Sequence, residues 1–185
     1  MIRLFAGLAL PPDCRDRLAR AQGGLPGARW IAPENHHITL RFIGEVPEPD
    51  AEAIAASLDT LAHPPVTVRI AGLSFGGDQH RARTLWAEVE RTPELVELQK
   101  RVESLVVASK CCTPETRRYR PHVTLARFSG VRPERLQEFL NQNALLACAP
   151  FVADAVVLFS SQLSHNGSKY VEEVRFPLAA GNPAA

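Results

Sequence analysis

The sequence lacks any long hydrophobic run. No stretch approaches the roughly 20 apolar residues that a helix needs to cross a bilayer. The only apolar segment near the N-terminus, residues 4–10, runs into Pro11 and Pro12 without a small-residue cleavage site. We therefore interpret this segment as a first β-strand and expect a soluble protein with no membrane contact.

The sequence also lacks an excess of one charge. Its 185 residues include 21 Lys and Arg against 20 Asp and Glu, a net charge of +1. This balance argues against a broad polyanion-binding surface or an acidic tail. Any anion must then be bound locally, in a chain whose length fits one domain or two small lobes that share a core.

Common metal-binding and nucleotide-binding fingerprints are missing as well. The four cysteines show neither Cys-x-x-Cys spacing nor a nearby histidine at ligand spacing, which weakens the case for zinc or disulfides and favours a reducing cytoplasm. The chain has no Gly-x-x-x-x-Gly-Lys-Ser/Thr, no Gly-x-Gly-x-x-Gly and no His-Glu-x-x-His. Its chemistry must rest on another pattern.

That pattern is an internal repeat. The segment His37-Ile38-Thr39-Leu40 recurs as His122-Val123-Thr124-Leu125, at an offset of 85 residues. The same offset pairs further residues without a change of register: Val46 with Val131, Leu61 with Leu146, Leu73 with Leu158, Glu88 with Glu173 and Val89 with Val174. A chance match of four residues would not persist in this way.

The secondary-structure signals follow the same order in both halves. Helices are predicted to begin at Pro12 and at Pro93, with Thr92 as N-cap, and a His-x-Thr strand follows each. Further predicted elements are helices at 49–61 and 133–146, strands at 66–75, 84–90, 151–163 and 169–176, and hairpin turns at 76–78 and 166–167. The predicted fold is α+β: one bilobal domain over residues 1–180, with two similar lobes of antiparallel sheet and flanking helices on either side of a groove, and a frayed tail at 181–185.

The repeated motif carries groups suited to acid-base chemistry. In a strand, His37 and Thr39 project together while the residues between and after them enter the core, and His122 and Thr124 do the same. An unperturbed histidine pKa near 6.5 would let one imidazole be neutral and the other protonated near neutral pH, as an in-line displacement requires. The hydroxyls can donate hydrogen bonds to oxygens on which charge accumulates. A phosphodiester is the natural substrate for such a pair.

Two other interpretations compete with this one. A single His-x-Thr in a strand is usually structural, but a duplication for packing alone would repeat apolar residues rather than a polar pair. A two-histidine metal site is the sharper rival, yet neither motif offers an obvious third carboxylate ligand. The metal-free interpretation is therefore preferred, and no cofactor is expected.

These residues resemble the two-histidine (2H) phosphoesterase superfamily, specifically the bacterial and archaeal RNA 2',3'-cyclic phosphodiesterases, also called 2'-5' RNA ligase-like proteins. The resemblance covers nearly the whole chain and rests on segments 3–5, 10–11, 37–44, 121–127 and 158–170. It implies a bilobal α+β fold without a metal that hydrolyses a 2',3'-cyclic phosphate to a 2'-phosphomonoester. It further implies that His37 is the general acid and His122 the base; the repeat alone makes the two equivalent.

The resemblance also suggests that Phe42 and Arg127 contact the nucleotide base. Both lie five residues after a catalytic histidine, so strict alternation would place them on the opposite face, and the assignment requires a bulge, a twist or a strand end. Core packing is an equally good explanation for Phe42. Arg127 is harder to explain as a core residue, because unpaired buried arginine is rare.

Other polar and aromatic residues remain open. The cluster Arg117, Arg118, Tyr119 and Arg120 could hold RNA phosphates or be a solvated loop. Trp30 is interpreted as a possible contact at the groove rim and Trp86 as core, and His36 should point away from the groove. The remaining histidines, without a motif around them, are expected at the surface: His63, His80 and His165.

The function expected from the sequence is hydrolysis of RNA 2',3'-cyclic phosphate ends, or of nucleotide 2',3'-cyclic phosphates, by a monomer. With a 5' hydroxyl replacing water, the same chemistry would give 2'-5' ligation. The alternative is a nucleotide-binding or RNA-binding module of the same fold without turnover. Both motifs are intact, which favours the enzyme.

Overall fold

Proline stands in the first turn of every α-helix of the structure, a computed structural model that describes residues 1–77, 82–128, 130–164 and 167–179. A proline there has a helical φ angle and lacks only an N–H that would have no helical partner. The predicted cap is confirmed, since the Thr92 side-chain oxygen accepts from the Leu95 N–H at 3.2 Å. The helices are α1 (Pro12–Ala19), α2 (Glu48–Leu58), α3 (Pro93–Ala108) and α4 (Pro133–Gln142), with a 3-10 helix at Pro33–Asn35.

Helices α2 and α4 end earlier than periodicity predicted. Leu61 and Leu146 are buried as expected, but each reaches the core from the connection after its helix. The Leu146 carbonyl accepts from the Gly72 N–H at 2.7 Å, which holds that connection against a strand. Apolar spacing alone therefore overestimates the length of both helices.

The strands agree with the prediction except where two of them break. The predicted strands 66–75 and 151–163 are each divided, around Arg69 and Asp154 respectively, and the short β2 was not predicted. Within the predicted hairpin turns, Asp78 and Asn166 lie outside the described residues. The strands are β1 (Ile2–Ala9), β2 (Ala28–Trp30), β3 (His37–Val46), β4 (Val66–Val68), β5 (Ile70–Gly76), β6 (Thr84–Val89), β7 (His122–Phe128), β8 (Phe151–Ala153), β9 (Ala155–Ser164) and β10 (Gly167–Pro177).

Two antiparallel four-stranded sheets form the two lobes. One has the order β10-β9-β1-β3 and the other β2-β7-β6-β5. Each sheet combines strands from both sequence halves, because β9 joins the first sheet and β5 joins the second. The lobes are interleaved rather than formed by one half each, and they do not follow the predicted repeat strand by strand. Strand β6 lies beside β7, whereas β10, its equivalent at the offset of 85 residues, lies at the edge of its sheet away from β3.

The strand breaks produce a small third sheet. Strands β4 and β8 pair antiparallel, and Thr67 lies directly opposite Val152. These two residues are separated by the repeat offset of 85 residues. A residue paired with its own repeat equivalent marks a local twofold axis through this small sheet.

Buried side chains of both sheets belong to one continuous apolar cluster. Leu8 and Ile38 of the first sheet and Leu85 and Leu125 of the second are all part of it. In the described part of the chain, no helix has the length and apolar character that crossing a membrane would require. The predicted tail at 181–185 lies outside the described residues.

Candidate active site

His37 is held in place at the start of β3. Ile38 and Leu40 are buried while His37 and Thr39 are half-buried, which confirms the predicted alternation. The His37 Nδ1 lies 2.7 Å from the Asn35 carbonyl oxygen, so Nδ1 carries a hydrogen and donates it. In the neutral ring, Nε2 is then the basic atom, and it lies 3.1 Å from the Thr39 Oγ1.

His122 is held in the same way at the start of β7. Its Nδ1 donates to the Arg120 carbonyl oxygen at 2.8 Å. Arg120 and Asn35 are separated by the repeat offset, so the orienting hydrogen bond is itself repeated. Thr124 is half-buried on the same side of the strand as His122. Both imidazoles therefore keep Nε2 for chemistry.

The two histidine strands face each other where the sheets meet. Some Cα atoms of β3 lie within 8 Å of Cα atoms of β7. The imidazoles interact electrostatically, because the charge of His122 contributes to lowering the pKa of His37. The structure thus brings the two predicted histidines close enough to interact electrostatically.

Aromatic rings surround His37 on the groove face of its sheet. The Phe5 ring centroid lies 4.5 Å from the His37 centroid, Phe159 lies at 5.8 Å, and Tyr170 meets the ring edge-on at 5.1 Å. The imidazole is thereby largely shielded from water on its own side of the groove.

A tryptophan, Trp86, packs against the His122 imidazole and shields it from water. The Trp86 ring centroid lies 4.9 Å from that of His122, and the Arg120 guanidinium lies over the indole at 4.8 Å. Trp86 is buried as predicted, but it packs in the groove rather than in the main core. Trp86 is directly opposite Thr124 in the pairing of β6 with β7, which puts it on the face of the motif.

Burial makes both imidazoles weak bases. Desolvation lowers the pKa of His37 to about 4, with the hydrogen bond to Asn35 acting in the opposite direction and the charge of His122 in the same one. Desolvation also lowers the pKa of His122, again opposed by the bond to a backbone carbonyl. Both shifts favour the neutral form of each ring in the free site, whereas the expectation of one protonated imidazole near neutral pH assumed the pKa of a solvated ring.

Matching bulges turn Phe42 and Arg127 to the groove side. The register of β3 with β1 skips Leu40, and the register of β7 with β6 skips Leu125, its repeat equivalent. Two successive residues on each strand are buried, and Phe42 and Arg127 are exposed beyond them. Phe42 has 44% of its surface exposed, with the Arg3 guanidinium 5.2 Å from the ring centroid. The bulge that their assignment requires is present in both strands.

Several other predicted positions differ from expectation. Trp30 is not a rim contact, since it packs beside Phe139 of α4, with ring centroids 5.8 Å apart. His63 is buried rather than at the surface, and its Nδ1 donates to the Pro64 carbonyl oxygen. His36, by contrast, agrees with the expectation that it points away from the groove, since it is buried and its Nε2 lies 3.1 Å from the Gln22 side-chain nitrogen. His80 and His165 lie outside the described residues.

The arginine cluster before β7 is largely paired with carboxylates. Arg117 binds Glu115 at 2.7 Å and Arg120 binds Glu88 at 3.3 Å, while Arg118 is exposed. Two of the three charges are thus matched within the protein. Among the described residues, no group of three or more His, Cys, Asp or Glu side chains is placed to hold a metal ion.

The arrangement of two His-x-Thr strands across a groove agrees with a family model. The model of the LigT-like phosphoesterases matches residues 8–86 and 88–170, almost the whole chain. The chain belongs to this family. It is a phosphoesterase, an enzyme of the hydrolase class.

Individual relatives support the same grouping. A protein of Aeropyrum pernix is 38% identical to the phosphoesterase, and the match covers 63% of this chain and 68% of that protein. A protein of Methanothermobacter thermautotrophicus is 28% identical, and the match covers 96% of this chain and 99% of that protein. Both relatives are named RNA 2',3'-cyclic phosphodiesterase. The fold is similar to that of Escherichia coli LigT in its complex with 3'-AMP, with a TM-score of 0.74, 22% identity, and coverage of 96% of this chain and 98% of that one.

The site contains residues to which the sequence assigned no role, although the aromatic ones lie in segments 3–5 and 158–170, on which the resemblance rests. The aromatic rings around His37 lie on three different strands, none of which carries the motif: Phe5 on β1, Phe159 on β9 and Tyr170 on β10. Asn35, which accepts from His37 through its carbonyl, also binds β10 through its side chain. The sequence offered one signal for Asn35, its place two residues before the motif histidine.

Proposed function

We propose that the phosphoesterase hydrolyses the 2',3'-cyclic phosphate at an RNA end to a 2'-phosphomonoester. The observation that carries this proposal is the pair of imidazoles across one groove, each fixed at Nδ1 by a backbone carbonyl. A pair of this kind supplies a base and an acid to the two sides of a phosphorus atom. The names of the curated relatives support the choice of substrate.

In the proposed reaction, water attacks phosphorus as the bond from phosphorus to the 3' oxygen breaks. The His122 Nε2 accepts a proton from the water, and the protonated His37 Nε2 gives a proton to the departing 3' oxygen. The proton gained by one ring equals the proton lost by the other, and exchange with solvent restores both. The choice of His37 as acid and His122 as base rests on the family resemblance.

Binding of the substrate would prepare the acid. A phosphodiester carries a negative charge, and an opposite charge close to an imidazole raises its pKa. Thr39 and Thr124 would donate hydrogen bonds to the phosphate oxygens as charge develops on them. The imidazoles supply acid and base, so the reaction should need no divalent metal. With a 5' hydroxyl in place of water as the nucleophile, the same groups would form a 2'-5' bond as the bond from phosphorus to the 3' oxygen breaks.

The test is a product analysis with RNA that ends in a 2',3'-cyclic phosphate, in the presence of a chelator. We expect a 2'-phosphate product, and we expect His37→Ala and His122→Ala to lower kcat by about a hundredfold to ten-thousandfold. Thr39→Ala and Thr124→Ala should have smaller effects, below the roughly hundredfold to thousandfold loss of an oxyanion-hole donor.

His63→Gln is the matched control, because His63 is a buried histidine outside the groove strands. Thermal midpoints measured on every variant separate loss of chemistry from loss of folding. Activity near that of the wild type in folded His37→Ala and His122→Ala would refute the mechanism. Activity lost to the chelator and restored by a metal ion would refute its metal independence.

A further inference from the structure

A pair of arginines lies side by side beyond the histidines on the second sheet. Arg29 of β2 is directly opposite Arg127 of β7, and both are exposed. The strand neighbours of Arg29, which are Ala28 and Trp30, pack against the main core. Because side chains alternate along a strand and directly opposed residues share a face, both arginines project on the groove side.

This pairing is unfavourable in the protein alone. Like charges directly opposite one another on adjacent strands destabilise a sheet. Within the described residues, neither guanidinium has a carboxylate within ion-pair distance, whereas Arg120, before the other end of β7, has Glu88. Two convergent guanidiniums without a local counter-charge form a site suited to an anion, and arginine binds phosphate through two parallel N–H groups.

The arginine pair lies outside the repeat. Among the described residues, the first sheet has no strand equivalent to β2 beside β3, because β3 is an edge strand there. The repeat equivalent of Arg29 is Pro114, which lies in no strand. The twofold arrangement accounts for the two histidines but not for Arg29. The additional strand therefore places a charge beside one half of the groove only.

Arg29 and Arg127 lie at a distance along β7 from the place where the reacting phosphate would bind. Arg127 comes five residues after His122 on the same strand and the same face, which at about 3.3 Å per residue is roughly 15 Å. At that separation, a phosphate other than the one held between the imidazoles is better placed to contact both arginines. A second phosphate of the same RNA strand would extend toward them.

We propose that Arg29 and Arg127 together bind a backbone phosphate upstream of the terminal cyclic phosphate, which makes an RNA oligonucleotide the preferred substrate over a mononucleotide. This inference rests on the proposed function and specifies its substrate class. It is compatible with a base contact by Arg127, since a guanidinium stacks through its face and binds phosphate through its edge.

The experiment compares substrates of increasing length. These are a nucleoside 2',3'-cyclic phosphate with a 5' hydroxyl, the same nucleoside with a 5' phosphate, and di- and trinucleotides that end in the cyclic phosphate. In the wild type we expect kcat/KM to rise when the upstream phosphate is present. Arg29→Gln should remove most of that rise, about tenfold for a single charged hydrogen bond. The 5'-phosphorylated nucleoside distinguishes the nearest phosphate from one further along the chain.

Arg101→Gln is the matched control, because Arg101 is an exposed arginine on α3 and should leave the length preference intact. Binding of a labelled trinucleotide with a 2' phosphate gives a second readout. In Arg29→Gln, the slope of log K against log salt should decrease in size by about 0.7 for each single-strand phosphate that the protein no longer neutralises.

The outcomes separate this proposal from the proposed function. Equal kcat/KM for all lengths, or an equal loss for all lengths in Arg29→Gln, would overturn the phosphate site while the cyclic phosphodiesterase activity stands. Absence of turnover on every substrate would refute the proposed function, and the salt dependence of trinucleotide binding would still decide the role of Arg29.

Discussion

At the scale of the residue, the Nδ1 atom of each motif histidine orients the ring and leaves Nε2 free to accept a proton. Each donates Nδ1–H to the carbonyl of the residue two positions earlier, Asn35 or Arg120. This bond selects the neutral tautomer whose Nε2 is basic. The same bond raises the pKa of each ring, but burial lowers it more, and the net effect on both is a lower pKa.

The lowered pKa values predict how activity depends on pH. The alkaline limb of kcat/KM reports loss of the required proton in the free enzyme, and the limb of kcat reports it in the complex. Burial lowers the pKa of His37 to about 4 and also lowers the pKa of His122. The alkaline limb of the kcat/KM profile should therefore have its midpoint below pH 6.5. The alkaline limb of the kcat profile should have its midpoint at higher pH, because the bound anion stabilises the imidazolium. The limbs belong to the coupled pair rather than to one ring.

Steady-state rates from pH 4 to pH 9 on a single substrate provide the measurement. His63→Gln should reproduce both wild-type profiles, since His63 lies outside the groove strands. Coincident kcat and kcat/KM profiles, or a kcat/KM maximum above pH 7, would show that burial does not set the pKa of these histidines.

Sequence reasoning identified the histidines but not their surroundings, for a physical reason. The repeated motif is local, and alternation along one strand is enough to place His37 and Thr39 on one face. The rings of Phe5 and Phe159 reach His37 through pairing of β1 with β3 and with β9. Their register depends on tertiary contacts, so no local pattern around either residue indicates that it lies beside an imidazole.

At the scale of the element, the 3-10 helix before β3 joins the histidine to the distant strand β10. The Asn35 side chain donates to the Ser168 carbonyl at 2.7 Å and accepts from the Tyr170 N–H at 3.1 Å. Its own carbonyl accepts from His37. One residue therefore fixes both the imidazole and the edge-on tyrosine ring beside it.

Asn35→Ala should disturb the site through this link. Loss of the two side-chain hydrogen bonds should lower the free energy of unfolding by about 1–3 kcal/mol. It should also lower kcat more than it raises KM, because Tyr170 would no longer be held against His37. Chemical denaturation and steady-state kinetics measure the two effects.

Asn35→Asp serves as the conservative comparison. An aspartate keeps an oxygen that accepts from the Tyr170 N–H but loses the donor to the Ser168 carbonyl, so its effects should be intermediate. If Asn35→Ala lowers stability with no change in kcat or in the pH profile, Asn35 has a structural role only.

The bulges show where the alternation of side chains along a strand stops predicting the face on which a residue lies. A bulge requires one strand to have an extra residue relative to its partner, so it depends on the pairing of two distant segments. The sequence could state only that Phe42 and Arg127 need one. Its occurrence at Leu40 and again at Leu125 indicates that the irregularity is part of the repeated unit.

At the scale of the whole molecule, the repeat was visible in the sequence but its interleaving was not. Local signals predicted nearly every element, since β-branched runs, prolines and turn residues act over a few positions. The assignment of β5 and β9 to opposite sheets depends on the breaks at Arg69 and Asp154. These breaks follow from the pairing of β4 with β8 about the twofold axis, which is a contact between distant parts of the chain.

One buried ion pair connects the first sheet to the loop that leads into β7. Arg41 of β3 is buried, and its Nε lies 3.1 Å from the Glu103 Oε2 of α3, although the two are not aligned as a hydrogen bond. Its guanidinium also donates to the Thr113 carbonyl, and the Glu103 Oε1 accepts from the Glu115 N–H at 2.8 Å. The repeat equivalent of Arg41 is Ala126, so this link exists in one half only.

We expect this pair to control stability through coupling rather than through attraction alone. Removal of Arg41 leaves the Glu103 carboxylate without its cation, and removal of Glu103 leaves Arg41 with only Glu115, whose Oε2 lies 4.0 Å from its Nη1. Arg41→Leu should therefore lower the free energy of unfolding by about 3–5 kcal/mol, and Glu103→Leu should lower it by less. The double variant should lose much less free energy of unfolding than the sum of the two single variants, because both charges leave the interior together.

The exposed pair Arg69 and Glu90, with side chains 55% and 56% exposed, is the control, and its leucine variants should change stability by about 1 kcal/mol or less. Urea denaturation of both sets of single and double variants at pH 7 measures the coupling. Strict additivity at Arg41 and Glu103 would mean that the two side chains stabilise the fold independently, and that the loop before His122 is held by its other contacts.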